Sequence, residues 1–130
     1  MSEQPKAPSR PLSPRLSIYR WQPAMIASIA HRASGIVLFL FVPLYLWLLH
    51  GMTGSPEGFA AASQWLHSGL GKFSLWIVGT ALIYHFCNGI RFVALDAGFG
   101  ETREIMRSSA RNVIGIAAVT AIVLGALLWI

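Results

Sequence analysis

Three stretches of this chain carry no Asp, Glu, Lys or Arg: between Arg32 and Glu57, between Lys72 and Arg91, and from Asn112 to Ile130. A helix rising ~1.5 Å per residue needs ~20 apolar residues to cross ~30 Å of hydrocarbon, and each stretch is long enough. A β-barrel would show alternating residues in strands of ~10, and nothing here alternates. The sequence therefore predicts an all-α integral membrane protein with three transmembrane helices, near 24–50, 72–96 and 108–130. Only 12% of the 130 residues are charged and 55% are hydrophobic, against roughly 25% charged in a soluble domain. That composition excludes a disordered chain. The net charge of +5 does not form a single nucleic-acid-binding patch, and one cysteine, Cys87, cannot build a disulfide framework.

The basic residues instead report orientation. Lys6, Arg10, Arg15, Arg20 and Arg32 lie at or before the start of the first span, and Arg91, Arg103, Arg107 and Arg111 between the second and third. The 51–71 connection has only Lys72 at its end. Positive-inside then puts the N-terminus and the 92–107 loop in the cytoplasm, with the 51–71 loop and Ile130 outside. The N-terminal segment 1–22, with Pro5, Pro8, Pro11 and Pro14, lacks the early apolar core of a signal peptide, and a bacterial inner membrane is the expected location rather than a mitochondrial one. In the outer loop Ser55, Pro56 and Glu57 read as N-cap, first position and first turn of a short helix. Its Phe59, Ala62 and Leu66 suit the membrane surface. Trp65 and Trp129 fit an outer aromatic belt, Tyr19 and Trp21 an inner one. Ala117, Ala121 and Gly125 recur every four residues in the third span, a stripe that lets another backbone approach.

Polar residues in or near hydrocarbon need a reason, because a charge at the bilayer centre costs roughly 2.5–3.5 kcal/mol on insertion scales. Ser28, His31 and Arg32 have i, i+3, i+4 spacing and share a helical face. The plain reading has Arg32 snorkelling to lipid phosphates and His31 at the interface. The functional reading is a polar pocket whose Arg32 and Ser28 donate hydrogen bonds to a ligand oxygen. In Tyr84-His85-Phe86-Cys87-Asn88-Gly89-Ile90-Arg91, His85 lies about 9 Å deeper than Arg91 at ~1.5 Å per residue. A neutral imidazole there needs a hydrogen-bond partner or a metal, and haem iron is one solution. Gly89, one turn on, leaves room for a flat macrocycle or a neighbouring helix. Arg91 and Arg32 are candidates for pairing with propionates, and Asp96 for holding one of these arginines. His50 and His67 lie toward the other side. Unless His31 reaches the iron, a second axial ligand must come from another polypeptide.

Arg10-Pro11-Leu12-Ser13-Pro14, Ile18-Tyr19, Ser28-Ile29-Ala30-His31-Arg32-Ala33-Ser34-Gly35, and His85-Phe86-Cys87-Asn88-Gly89-Ile90-Arg91 followed by Asp96 together resemble the cytochrome-b membrane-anchor subunit of succinate dehydrogenase (succinate:quinone oxidoreductase, respiratory complex II). The resemblance runs over about residues 10–130. It implies that 23–130 form a three-helix anchor domain for haem b and quinone, pairing with a second three-helix anchor subunit. It implies His85 as an axial ligand of haem iron, His31 and Arg32 at the haem propionates, and Ser28 and Arg32 at the quinone. The implied partners are a flavoprotein subunit, where succinate is oxidised, an iron–sulfur subunit, the second anchor and membrane lipid, with no nucleic acid. None of this chain's residues would then act on succinate itself. Arg15 and Phe92 stand where many members have histidine, so no propionate or quinone contact is assigned to Phe92. Two alternatives from the same geometry are a passive structural anchor without cofactor and the anchor of a related fumarate reductase. A small multidrug-type transporter would call for four spans and an intramembrane acid, and the uncharged runs hold none.

Overall fold

The computed structural model describes residues 20–130. The expectations resting on Lys6, Arg10, Arg15, Tyr19 and the prolines of the N-terminal segment lie outside the described residues. Four helices follow one another: α1 over Pro23–Gly54, α2 over Pro56–His67, α3 over Gly69–Asp96 and α4 over Arg103–Trp129. Among the described residues there is no strand. α1, α3 and α4 are each long and apolar enough to cross a bilayer, in agreement with the three charge-free runs. This is a multi-pass membrane protein. α1 runs through Pro43 without interruption. Membrane-spanning helices tolerate proline where neighbouring helices, side chains or small local adjustments satisfy the backbone groups it frees.

The ends of the helices follow from local chemistry. The Ser55 hydroxyl accepts the Gly58 N–H at 3.0 Å, with Pro56 in the first turn, so the expected outer helix is present as α2. α2 is not a free-lying surface element within the chain. It folds back on the end of α1, where a Cβ on Gly58 would collide with the Gly51 carbonyl oxygen. Of the expected surface face, Ala62 is buried in that junction while Phe59 stays 53% exposed. Ser68 ends α2 and starts α3, its hydroxyl accepting the Gly71 N–H at 3.1 Å and donating to the Trp65 carbonyl at 2.6 Å. α3 closes in a Schellman turn: the Phe99 N–H reaches the Ala94 carbonyl and the Gly98 N–H the Leu95 carbonyl, both at 2.9 Å. Gly98 takes the required left-handed conformation at φ 84°.

α3 packs against both α1 and α4 and contributes more buried positions than either. Toward the outer end, the Tyr45 hydroxyl of α1 meets Ser74 Oγ at 3.1 Å. The Trp76 indole N–H donates to the Ala121 carbonyl at 2.7 Å and lies over Gly125, 3.5 Å from where its Cβ would be. The small-residue stripe of α4 therefore receives a side chain, not the close backbone that its spacing suggested. The interior is unusually polar for so apolar a chain. Ser34, Ser74, Asn88 and Arg91 are buried, while Phe39, Ile122 and Leu127 face outward at more than 70% exposure. That inversion suits lipid, where the exterior is already apolar and polar groups must find one another.

Candidate functional site

The polar residues of α1 and α3 converge at the end where α1 begins, α3 finishes and α4 begins. Two faces of α3 meet its neighbours there. On one, Tyr84, Asn88 and Arg91 sit at i, i+4 and i+7 and turn toward α1 and α4. The Tyr84 hydroxyl donates to the Ala27 carbonyl at 2.7 Å, and Asn88 Nδ2 donates to the same oxygen at 3.2 Å. Arg91 spends its guanidinium on α4, with Nε on Ser109 Oγ at 3.0 Å and Nη2 on the Met106 carbonyl at 3.2 Å. A longer contact of 3.5 Å joins Nη1 to Asn88 Oδ1. Asn88 is fully buried and Arg91 only 7% exposed.

This corrects two expectations. Arg91 is not free to pair with a propionate, because the helical rotation from His85 turns it toward α4. Asp96 is exposed as the last residue of α3, and no salt bridge forms among the described residues. The sequence reading passed over Tyr84 and Asn88 as binding partners. Their i, i+4, i+7 spacing with Arg91 was the signal available.

The other face carries His85, Gly89 and Phe92. His85 Nδ1 lies 3.0 Å from Ser34 Oγ and 3.2 Å from the His31 carbonyl oxygen. A carbonyl only accepts, so Nδ1 bears the proton in this geometry. The Nε2 atom has no hydrogen-bond partner among the described residues. The His31 ring stacks on the His85 ring, with centroids 3.9 Å apart and planes 11° from parallel. Phe92 meets His31 edge-on at 5.2 Å. His31 Nδ1 is buried and makes no hydrogen bond.

Gly35 matters more than Gly89 here. A Cβ at Gly35 would come within 3.2 Å of His85 Cε1, tighter than ordinary contact, whereas at Gly89 it would stand 3.7 Å from His31 Cε1. Ser28 and Arg32 form the next stripe of α1, one turn apart. Arg32 is exposed and Ser28 half-buried, and neither side chain has a hydrogen-bond partner among the described residues. The one face expected for Ser28, His31 and Arg32 thus divides between α3 and the open surface. His50 and His67 lie at the far end, where His67 Nδ1 is within 2.8 Å of the Ser63 carbonyl.

These residues fit a haem better than a bare metal ion. Among the described residues no group of three His, Cys, Asp or Glu could hold an ion. A macrocycle brings its own nitrogens and asks the protein for an imidazole with a free Nε2, held by a hydrogen bond at Nδ1. His85 meets that description. The unpaired His31 Nδ1 is a group that a propionate oxygen would satisfy. His31 is not placed as the opposite axial ligand, because two such imidazoles aim their nitrogens at each other through the iron, whereas these rings lie face to face.

Residues 6–124 match the family described as the succinate dehydrogenase/fumarate reductase transmembrane subunit. The succinate dehydrogenase cytochrome b556 subunit of Coxiella burnetii is 39% identical over 121 residues, covering 92% of this chain and 97% of that protein. That of Paracoccus denitrificans is 37% identical over 114 residues, with 88% of each chain covered. The mitochondrial succinate dehydrogenase cytochrome b560 subunit of Bos taurus is 34% identical over 124 residues, covering 92% of this chain and 72% of that protein.

Proposed function

The chain belongs to the succinate dehydrogenase/fumarate reductase transmembrane subunit family, and from that premise we propose that it is the cytochrome b membrane anchor of a succinate dehydrogenase. The curated relatives named above favour succinate dehydrogenase over fumarate reductase as the parent enzyme. The observation that carries the cofactor assignment is the fixed His85 imidazole: Nδ1 is held by Ser34 and the His31 carbonyl, and Nε2 is left free. His85 would hold the iron of haem b through its free Nε2, with the remaining ligand supplied by another three-helix anchor subunit. His31 and Arg32 would hold the propionates. The haem, when bound, supplies a one-electron redox centre.

Succinate is oxidised on a flavoprotein subunit, and electrons reach quinone through an iron–sulfur subunit docked on the cytoplasmic side. The quinone binds beside Ser28 and Arg32. The fixed charge of Arg32 stabilises negative charge gathering on a quinone oxygen during reduction, and Ser28 donates a hydrogen bond to it. This chain contributes positioning and electrostatics, while the redox chemistry belongs to the cofactors. The excess of basic residues before α1 and between α3 and α4 supports an N-terminus on the cytoplasmic side of a bacterial inner membrane, with Ile130 on the periplasmic side.

The test uses the complex purified with its partners. His85→Leu removes the low-spin haem spectrum, and an unchanged spectrum overturns the ligand assignment. Arg32→Leu lowers succinate-to-quinone turnover on the order of 10²-fold, as loss of an oxyanion donor does, and leaves succinate-to-dye activity near the parent value. Equal losses in both activities overturn the quinone role.

A further inference from the structure

We propose that Ser34 sets the redox poise of the centre held at His85, a role that rests on the haem reading above. Ser34 is 7% exposed and lies in α1 directly against the ligand candidate. Its hydroxyl proton is committed to the His31 carbonyl at 2.8 Å, so the lone pairs of Oγ face the His85 Nδ1–H at 3.0 Å. The same proton has a second, longer acceptor in the His31 carbonyl at 3.2 Å. That carbonyl is crowded: it also receives the Ser34 hydroxyl and, through the regular helical bond, the Gly35 N–H. Ser34 Oγ is the nearer and less encumbered acceptor. It is therefore the atom that draws most on the imidazole proton.

The consequence is electronic. A ring that shares its Nδ1 proton with a strong acceptor gains anionic character, and its Nε2 lone pair becomes a better donor. A better donor favours the oxidised iron, which carries more positive charge, over the reduced iron. The interior position strengthens this effect, because hydrogen bonds are stronger at low dielectric. Gly35, the next residue, leaves the space that the imidazole edge occupies, with a Cβ there only 3.2 Å from Cε1. The Ser34-Gly35 pair thus supplies an acceptor and the room to use it. Ser34 is a positioning residue acting through His85.

The experiment is a redox titration of the haem in the intact complex. In Ser34→Ala the longer carbonyl contact remains alone, and the midpoint rises. A threefold change in the reduced-to-oxidised ratio at fixed potential corresponds to about 28 mV, from 59 mV per tenfold change in a one-electron couple. Ser34→Cys, similar in size but a poor acceptor, gives a rise of the same sign, and Ser34→Thr restores the parent value. A Ser34→Ala or Ser34→Cys complex whose midpoint is unchanged or lowered overturns the proposal. The two readings fail separately. A complex that keeps its haem after His85→Leu sinks the ligand assignment. One that loses it after His85→Leu, yet titrates at the parent midpoint after Ser34→Ala, sinks only the role of Ser34.

Discussion

The two faces of α3 treat their polar groups in opposite ways. On the face of Tyr84, Asn88 and Arg91, the side-chain polar atoms find partners within the chain, on Ala27, Met106 and Ser109. On the face of His85, the Nε2 atom has no partner among the described residues, and the adjoining His31 Nδ1 is buried without one. Both faces lie on the same turns of α3, a helix apolar enough to cross a bilayer, and in hydrocarbon an unpaired polar group is costly. A saturated group there holds helices together. Thr80 Oγ1, one turn before Tyr84, is also buried without a partner, so the pointer to a ligand is not a lone unsaturated group but the adjacent pair of imidazoles at His31 and His85. Arg91 sharpens the contrast, since its charge reaches inward to α4 and over the Phe92 ring, 5.6 Å from Cζ to the centroid, instead of toward an anion.

The sharpest way to break this division is Arg91→Leu. The change strips the two hydrogen bonds that reach α4, each worth ~0.6–1.7 kcal/mol in membrane helices, so the α3–α4 junction loses about 1–3 kcal/mol if they add. Assembled complex in the membrane, quantified by native gel, falls by about tenfold. The fraction that still assembles keeps its haem spectrum. His85→Leu gives the reverse pattern, assembling but colourless. If Arg91→Leu bleached a fully assembled complex, the two faces would not be separable and the strut reading would fail.

A smaller effect separates two glycines that look alike in sequence. Gly35→Ala pushes a methyl against His85 Cε1, and the imidazole must shift by a few tenths of an ångström. The low-spin haem signal in electron paramagnetic resonance moves or broadens, while the amount of complex stays near the parent level. Gly89→Ala meets His31 Cε1 at ordinary contact and changes neither. A spectral change at Gly89 with none at Gly35 would mean that the space kept free for the cofactor lies against His31 rather than His85.

These residues also mark where sequence reasoning stops. The three spans were legible because a charge-free run of such length has few other fates in a folded protein. The α2 start was legible because Ser55, Pro56 and Glu57 act within one turn. His31, Arg32 and His85 stood out as polar groups in apolar surroundings. What stayed hidden was helix rotation. Nothing local tells that Arg91 turns to α4 while His85 turns to α1, or that Ser34 meets a residue 51 positions away. The Ala117, Ala121 and Gly125 stripe was visible as a surface for close approach, but not as the seat of the Trp76 indole. Site roles that depend on an inter-helix partner need the packed structure.

The smallest expected effect tests whether the strut face works as a unit. Tyr84→Phe removes one hydroxyl from the Ala27 carbonyl, yet that oxygen is not orphaned, because Asn88 Nδ2 and the helical N–H of His31 still reach it. The loss should therefore sit at the low end, ~0.6 kcal/mol or about a threefold change in the unfolding equilibrium measured by detergent denaturation of the complex. Removing Asn88 alone, as Asn88→Ala, should cost more, since it also takes an acceptor from Arg91 and leaves a gap in a fully buried site. The two changes share one acceptor, so their effects should not add: once both donors are gone, the carbonyl is left with its helical bond alone, and the double variant should lose more than the sum of the singles. An additive pair would mean that the Ala27 carbonyl is not a common anchor, and that Tyr84 and Asn88 hold α1 independently. The excess would instead locate the joint between α1 and α3 at the residue preceding Ser28, one turn from His31 and Arg32, so that the saturated face fixes the helix on which the unsaturated one depends.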